Sequence, residues 1–301
     1  MKNIIDKISF IVLFLFSILY IIIFFIAKKT ICPYSLKIKA DNRKYYPLKN
    51  LSFSNYMPEN FFIKSSGYQL NCLYYDFGFD KTVIICHGWT ANMYNYIEYV
   101  PLFFKLKFNV MLYDQRYHGD SGGNCITFGY FEKLDLKNVV NYIETTKKIR
   151  HIGLFGKSMG AATVIQYLPN STNISFAIVD CPYSDLYKIF NCVIKSVCPF
   201  LPSKFIIFIA DVFFRIKGQF KTKHINPLND IKKINIPMLM IHGANDCFVP
   251  TIMSQELYNA KKDKKHLLII SDASHGNASQ TGPKLYNRTI EEFLSSYGII
   301  Q

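Results

Sequence analysis

The chain has 301 residues, half of them hydrophobic, and its 35 Lys and Arg against 21 Asp and Glu leave a formal charge of +14. That much apolar material excludes a largely disordered chain and suffices for one large α/β domain or two small ones. The basic residues are scattered along the chain, without a zinc finger, an RNA-recognition signature or an arginine-rich arm, so no nucleic-acid partner is expected.

The stretch from Ser9 to Ala27, "SFIVLFLFSILYIIIFFIA", carries no charge. Its length matches a bilayer core, and Lys28-Lys29 follow it where a signal peptide would show a small-residue cleavage site. The expectation is an uncleaved, single-pass membrane anchor over residues 1–29. Basic residues flank it on both sides, so the side of the membrane that carries the rest of the chain is left open. Residues 30–50 then read as a polar, basic connector.

From residue 51 to 301 the pattern is that of a globular domain. "FFIKSSGYQLNCLYYDF" predicts a hairpin turning at Ser66-Gly67. Apolar strand runs then alternate with helical patterns. Strands are expected at Thr82–Gly88, Phe108–Asp114, His151–Gly156, Ile174–Cys181, Ile236–Gly243 and His266–Ser271. Helices are expected near Met93–Leu106, after Phe131, after Ser158, and from about Pro283 to Ser296. All-apolar strands alternating with helices predict a mostly parallel sheet covered on both faces. Between Tyr183 and Ile234 an excursion of two or three amphipathic helices, broken at Pro199 and Pro202, reads as an insertion of the kind that covers a site.

Eight cysteines are present, none in a C-x-x-C pair and none with histidine at zinc spacing, so no metal site is expected. Whether Cys192 and Cys198 pair is not legible in the sequence.

The residues that carry chemistry begin at "LFGKSMGAATVIQYL". A serine hydroxyl is a poor nucleophile until a base takes its proton. In the pattern G-x-S-x-G, small residues let a strained strand-to-helix turn lift the serine above the sheet. Ser158 stands in that pattern, with a predicted strand before it and a predicted helix after it. The amide of Met159 then lies at a helix N-terminus, where N–H groups lack partners and favour negative charge.

An acid and a histidine should follow in that order. Asp246 lies just past the fifth parallel strand in "IHGANDCFVP", and His275 just past the sixth in "SDASHGNA". His266 starts a strand and so belongs at the opposite end of the sheet. Asp180 and Asp185 are reserve acids after the fourth strand. A second oxyanion donor is expected in "HGWTAN", where the amide of Trp89 follows Gly88 at the end of the first parallel strand.

Together "HGWTAN", "YDQRYHGDSGG", "GKSMGAAT", "DCPYSDL", "INPLNDIKKINIPMLMIHGANDCFVP" and "SHG" make the chain from Phe61 to Ser296 resemble an α/β-hydrolase. It is similar to membrane-anchored bacterial hydrolases of the serine aminopeptidase-like and cinnamoyl-esterase-like groups. The resemblance implies Ser158 as nucleophile, Asp246 as acid, His275 as base, and Trp89 and Met159 as oxyanion donors. It implies a loop-shaping, structural role for Asp114, Arg116, His118 and Ser121. Two positions depart from the pattern. Tyr117 stands where many relatives have glycine or another small residue, and Lys157 fills a variable position.

The expected reaction is acyl transfer to water through an acyl-enzyme, with no cofactor and no metal. The substrate is a small-molecule or lipid acyl compound, an ester before a peptide. An aminopeptidase should hold carboxylates around a free ammonium group, and the stretch Leu186 to Lys223 of the insertion has many lysines and arginines against Asp211 alone. Its phenylalanines Phe190, Phe200, Phe205, Phe208, Phe213 and Phe214 suit acyl groups or ordinary packing equally. An acyl-thioesterase or lipase at a membrane, a peptidase, and a hydrolase-fold binding protein without turnover are the alternatives. A dehalogenase would need a carboxylate where Ser158 stands.

Overall fold

The computed structural model describes residues 2–33, 57–197 and 199–301. Most of the expected connector, residues 51–56 of the expected domain, and Cys198 with its pairing to Cys192 therefore lie outside the described residues. In chain order the elements are α1 (Lys2–Ile31), β1 (Glu59–Ser65), β2 (Tyr68–Tyr75), β3 (Lys81–Cys86), α2 (Val100–Lys105), β4 (Asn109–Tyr113), α3 (Glu132–Thr145), β5 (His151–Lys157) and α4 (Met159–Tyr167). There follow β6 (Ile174–Asp180), α5 (Leu186–Val197), α6 (Ser203–Gly218), α7 (Pro227–Asp230), β7 (Met238–Gly243), α8 (Ile252–Ala260), β8 (Lys265–Ile270), α9 (Ala278–Thr281) and α10 (Pro283–Ser296).

Eight strands form one sheet in the order β1-β2-β4-β3-β5-β6-β7-β8. The β1–β2 and β2–β4 pairings are antiparallel and the other five are parallel. Ser66 and Gly67 both take positive φ, 47° and 86°, as a two-residue hairpin turn demands. Along each inner strand successive side chains go to opposite faces. Val83 and Ile85 join Phe103, Phe155 and Tyr286 on one face, while Ile84 joins Leu154, Val164 and Met240 on the other. The expected helix near residues 93–106 is instead a 3₁₀ segment, Met93–Tyr99, followed by α2. Pro101, with no N–H to donate, sits in the first turn of α2, where a proline costs nothing.

The prolines of the insertion act as expected. Helix α5 stops at Val197 before Pro199, and α6 begins directly after Pro202. A third apolar cluster lies over the carboxyl edge of the sheet and joins the end of α1 (Ala27, Ile31) to Met159, Leu186, Phe213 and Phe214.

The N-terminal segment requires a correction. Among the described residues, no helix is long and apolar enough to cross a membrane. That finding overturns the single-pass anchor expected over residues 1–29, and with it the membrane location and partner expected from that anchor. The physical reason is visible at the C-terminal end of α1. Ile23, Ala27 and Ile31 are 4%, 3% and 0% exposed, buried against protein. Phe24 packs edge-on against Phe213 of α6 at 4.7 Å. The apolar run that reads as a lipid-facing span is used here, in its last turns, to cover the domain.

Candidate active site

Strand order reverses direction between β3 and β5. After β3 the chain crosses to β4 on one side, and it returns to lay β5 on the other. Open α/β sheets bind ligands in the crevice at the carboxyl ends of the strands flanking such a switch. The loop after β3 carries Trp89, and the turn after β5 carries Ser158.

Ser158 has φ 54° and ψ −118°, a strained conformation for a residue with a side chain, costing about 1–3 kcal/mol. The surroundings hold it there. Its N–H donates to the Asp180 carbonyl at 2.8 Å, and its carbonyl accepts from Ala162 N at 3.1 Å. The flanking glycines are needed for closeness. A Cβ on Gly160 would lie 2.1 Å from the Cys86 carbonyl oxygen, and one on Gly156 would lie 2.5 Å from the Gly160 oxygen.

Ser158 Oγ and His275 Nε2 are 2.9 Å apart, and His275 Nδ1 and Asp246 Oδ2 are 2.6 Å apart. A carboxylate only accepts, so Nδ1 carries the ring proton and Nε2 is free to accept from the Ser158 hydroxyl. Asp246 is 6% exposed. Burial works to raise its carboxyl, but it is overcome by hydrogen bonds from His242 and His275 and from the Val249 amide, which hold it well below the usual carboxylate range. The Phe248 amide also donates to it, at 2.9 Å.

The structure thus brings Ser158, Asp246 and His275 into one hydrogen-bonded chain, drawn from loops after β5, β7 and β8. Trp89 and Met159 line the same apolar cavity as Ser158, a space of about 220 Å³. The reserve acids stand elsewhere. Asp180 is fully buried and accepts from Tyr286 OH at 3.0 Å, and burial pushes its carboxyl up. Asp185 accepts from Lys188 N and Asn226 Nδ2 at the start of α5. His266 lies at the start of β8, against Phe293 and Tyr297.

The segment after β4 is structural, as the resemblance implies. Asp114 takes Met93 N at 2.9 Å and Asp120 N at 3.1 Å, and Ser121 Oγ donates to the Asp114 carbonyl at 2.6 Å. Arg116 makes a two-pronged pair with buried Asp135 at 2.6 and 3.0 Å. Tyr117 sits at φ 64°, a left-handed conformation that glycine adopts without strain.

Three contributions are not legible in the sequence. His242 stands in mid-pattern of a strand, yet its Nε2 donates to Asp246 Oδ2 at 3.1 Å and its Nδ1 accepts from Ser254 Oγ at 2.6 Å. The only sequence signal is its spacing of four residues from Asp246. Lys157 is 7% exposed and donates to Tyr99 OH at 2.9 Å. Its ammonium also lies over the ring of Tyr96, whose hydroxyl accepts from Gly88 N at 2.9 Å. The third is α1, which lines the cavity with Ile23, Ile26, Ala27 and Thr30.

Among the described residues, one trio of potential metal ligands, Cys181, Asp246 and His275, has its ligand atoms within 4.8 Å of one another. Two of the three are already engaged with each other and with Ser158. Burial pushes the Cys181 thiol far up, which disfavours the thiolate that a metal binds.

A family model described as alpha/beta hydrolase fold matches residues 81–190. An uncharacterized protein of Bacillus subtilis, YqkD, is 35% identical over 219 residues, which is 72% of either chain. An esterase from Pyrococcus furiosus superposes with a TM-score of 0.68 at 28% identity, covering 82% of this chain and 94% of that one. A bromoperoxidase from Bacillus anthracis, at 20% identity and a TM-score of 0.58, covers 79% of this chain and 100% of its own and shares the fold alone. From the sheet order, the strained serine turn and these likenesses together, the chain belongs to the α/β-hydrolase superfamily.

Proposed function

We infer that the protein is a serine hydrolase that cleaves a carboxylic ester, or a related acyl bond, through an acyl-enzyme. The observation that carries this reading is the unbroken hydrogen-bonded run from Ser158 through His275 to Asp246, ending at an apolar cavity. Ser158 attacks the carbonyl while His275 Nε2 takes its proton. Asp246 fixes the tautomer and stabilises the imidazolium that forms. The backbone amides of Trp89 and Met159 stabilise the oxyanion. His275 then delivers the proton to the leaving group and activates water for deacylation.

An ester is favoured over a peptide with a free amino terminus because the described cavity lining includes no aspartate or glutamate. A free ammonium group buried there would have no counter-charge. The likeness to an esterase at 28% identity supports the same choice. Residues 51–301 act as the hydrolase domain, and the helices between 183 and 234 cover its cavity.

A fluorophosphonate probe tests the nucleophile. Wild-type protein is expected to be labelled, and Ser158→Ala to be folded and unlabelled. Folded wild-type protein that resists the probe would remove the claim. p-Nitrophenyl esters against aminoacyl-anilides then test the bond. Cleavage of the anilides alone would make it a peptidase.

A further inference from the structure

We propose that the last turns of α1 are a wall of the acyl-binding chamber, and that Ile23 and Ala27 set how long an acyl chain it admits. The inference rests on the hydrolase reading above, which supplies the reacting end of the substrate. Position along the chain hides it, because the first thirty residues look like a separate object.

Ile23, Ala27 and Thr30 recur at helical spacing and so form one stripe of α1. All three line the cavity that Ser158 and Met159 also line. Ile23 and Ala27 are 4% and 3% exposed, so this side of the helix faces protein and cavity. Ile207, Ala210 and Phe214 of α6, the helix against which α1 packs, line the same cavity.

The wall is tied down at points that come from different parts of the chain. Trp89 Nε1 donates to the Thr30 carbonyl at 3.2 Å, and Ile126 N donates to the Ile31 carbonyl at 2.8 Å. Cys32 Sγ donates to the Asn124 carbonyl at 3.4 Å. Ile31 is fully buried. The first of these bonds holds the indole of the loop after β3, so α1 also orients Trp89 beside Ser158. A wall of isoleucine, alanine and phenylalanine selects by length and volume, since it offers an apolar chain no polar partner. The ligand class is therefore a linear acyl chain, with its carbonyl at Ser158 and its tail along α1.

Full-length Ala27→Phe and Ile23→Ala test this in opposite directions. Each methylene moved from water into an apolar wall is worth about four-fold in binding. Excluding two of them should lower the ratio of kcat/KM for p-nitrophenyl decanoate over acetate about fifteen-fold in Ala27→Phe. Ile23→Ala should move the preferred ester to longer chains. A second readout is independent of turnover. Trp89 is the sole tryptophan, so decanoic acid bound in the chamber should change its emission. Titration in a Ser158→Ala background should give a Kd about tenfold weaker when Ala27→Phe is added.

Circular dichroism checks that each variant is folded. Unchanged chain-length profiles and decanoate Kd values in both variants would overturn the proposal, as would wild-type emission indifferent to decanoate. If wild-type protein resists the fluorophosphonate but Ala27→Phe still weakens decanoate binding, the hydrolase reading fails and the wall stands.

Discussion

His242 and His275 donate to the same oxygen of Asp246, at 3.1 and 2.6 Å. His275 is partly exposed, and His242 is fully buried. The arrangement makes His242 a positioning residue for Asp246. Its ring is itself fixed by Ser254 and by the Val249 carbonyl.

Replacing His242 by Phe removes one donor to a buried charge, at a cost of about 2 kcal/mol in stability. The carboxyl of Asp246, now held down by one bond fewer, should rise, and the acid limb of activity should move to higher pH. Fluorophosphonate labelling should slow by about tenfold, equivalent to 1.4 kcal/mol. His242→Gln keeps a donor and should recover part of both. A variant that loses stability but keeps the wild-type pH profile would make His242 merely a packing residue.

Gly160→Ala should disrupt the serine turn. The added Cβ meets the Cys86 carbonyl at 2.1 Å, and that atom is backbone, so β3 or α4 must shift. We expect a loss of about 2–3 kcal/mol, read as a fall in Tm of about 5–10 °C. Labelling of Ser158 should fall with it.

Acid should destabilise the fold through His118 and His87, whose rings lie 4.8 Å apart in the core. Burial pushes His118 down to about 4 and His87 well below its ordinary value, the nearby His118 adding to the effect on His87. For a group depressed on folding, the stabilisation is complete above the unfolded value and is lost as pH falls through the folded one. The His118 contribution should therefore be intact above 6.5 and gone near 4, a change of about 3 kcal/mol. Asp114, pushed up to about 6 chiefly by burial, acts in the opposite sense over part of this range. Because Asp114 acts alike in both proteins, the difference in stability between about pH 7 and about pH 4, measured by urea unfolding in wild type and in His118→Phe, isolates the His118 contribution. His118→Phe should shrink that difference by about 3 kcal/mol.

Arg116 and Asp135 form a buried pair, with Ser65 and Tyr68 also donating to Asp135 at 2.5 Å each. Arg116→Met leaves the carboxylate without its counter-charge and should cost about 3–5 kcal/mol. Adding Asp135→Leu should return much of that loss, a coupling that a double-mutant cycle in urea measures directly. If the two single changes simply add, the pair contributes nothing as a pair.

Much of this molecule was legible residue by residue. The alternation of apolar runs predicts every strand of the sheet within two or three residues, most plainly the inner strands such as β4 and β7, which are buried on both faces and leave no exposed position to blur the pattern. Gly156, Gly160 and the helix after Ser158 point to a serine turn because closeness of backbones allows no larger side chain there. The order of Ser158, Asp246 and His275, each just past a strand, places all three at one sheet edge before any coordinate is known.

What the sequence by itself determined, then, is the sheet, its carboxyl edge and the residues gathered there, since these follow from local periodicity and strand direction. The tertiary structure alone decided three things. It placed His242 behind Asp246, Lys157 against Tyr99, and the end of α1 against the cavity. The last two depend on contacts between segments far apart in the chain, and the first on how a loop folds back on its own strand, and hydropathy carries no information about either. An apolar helix reads the same whether its face meets lipid or another helix. The burial of Ile23, Ala27 and Ile31 shows that the last turns of α1 meet protein.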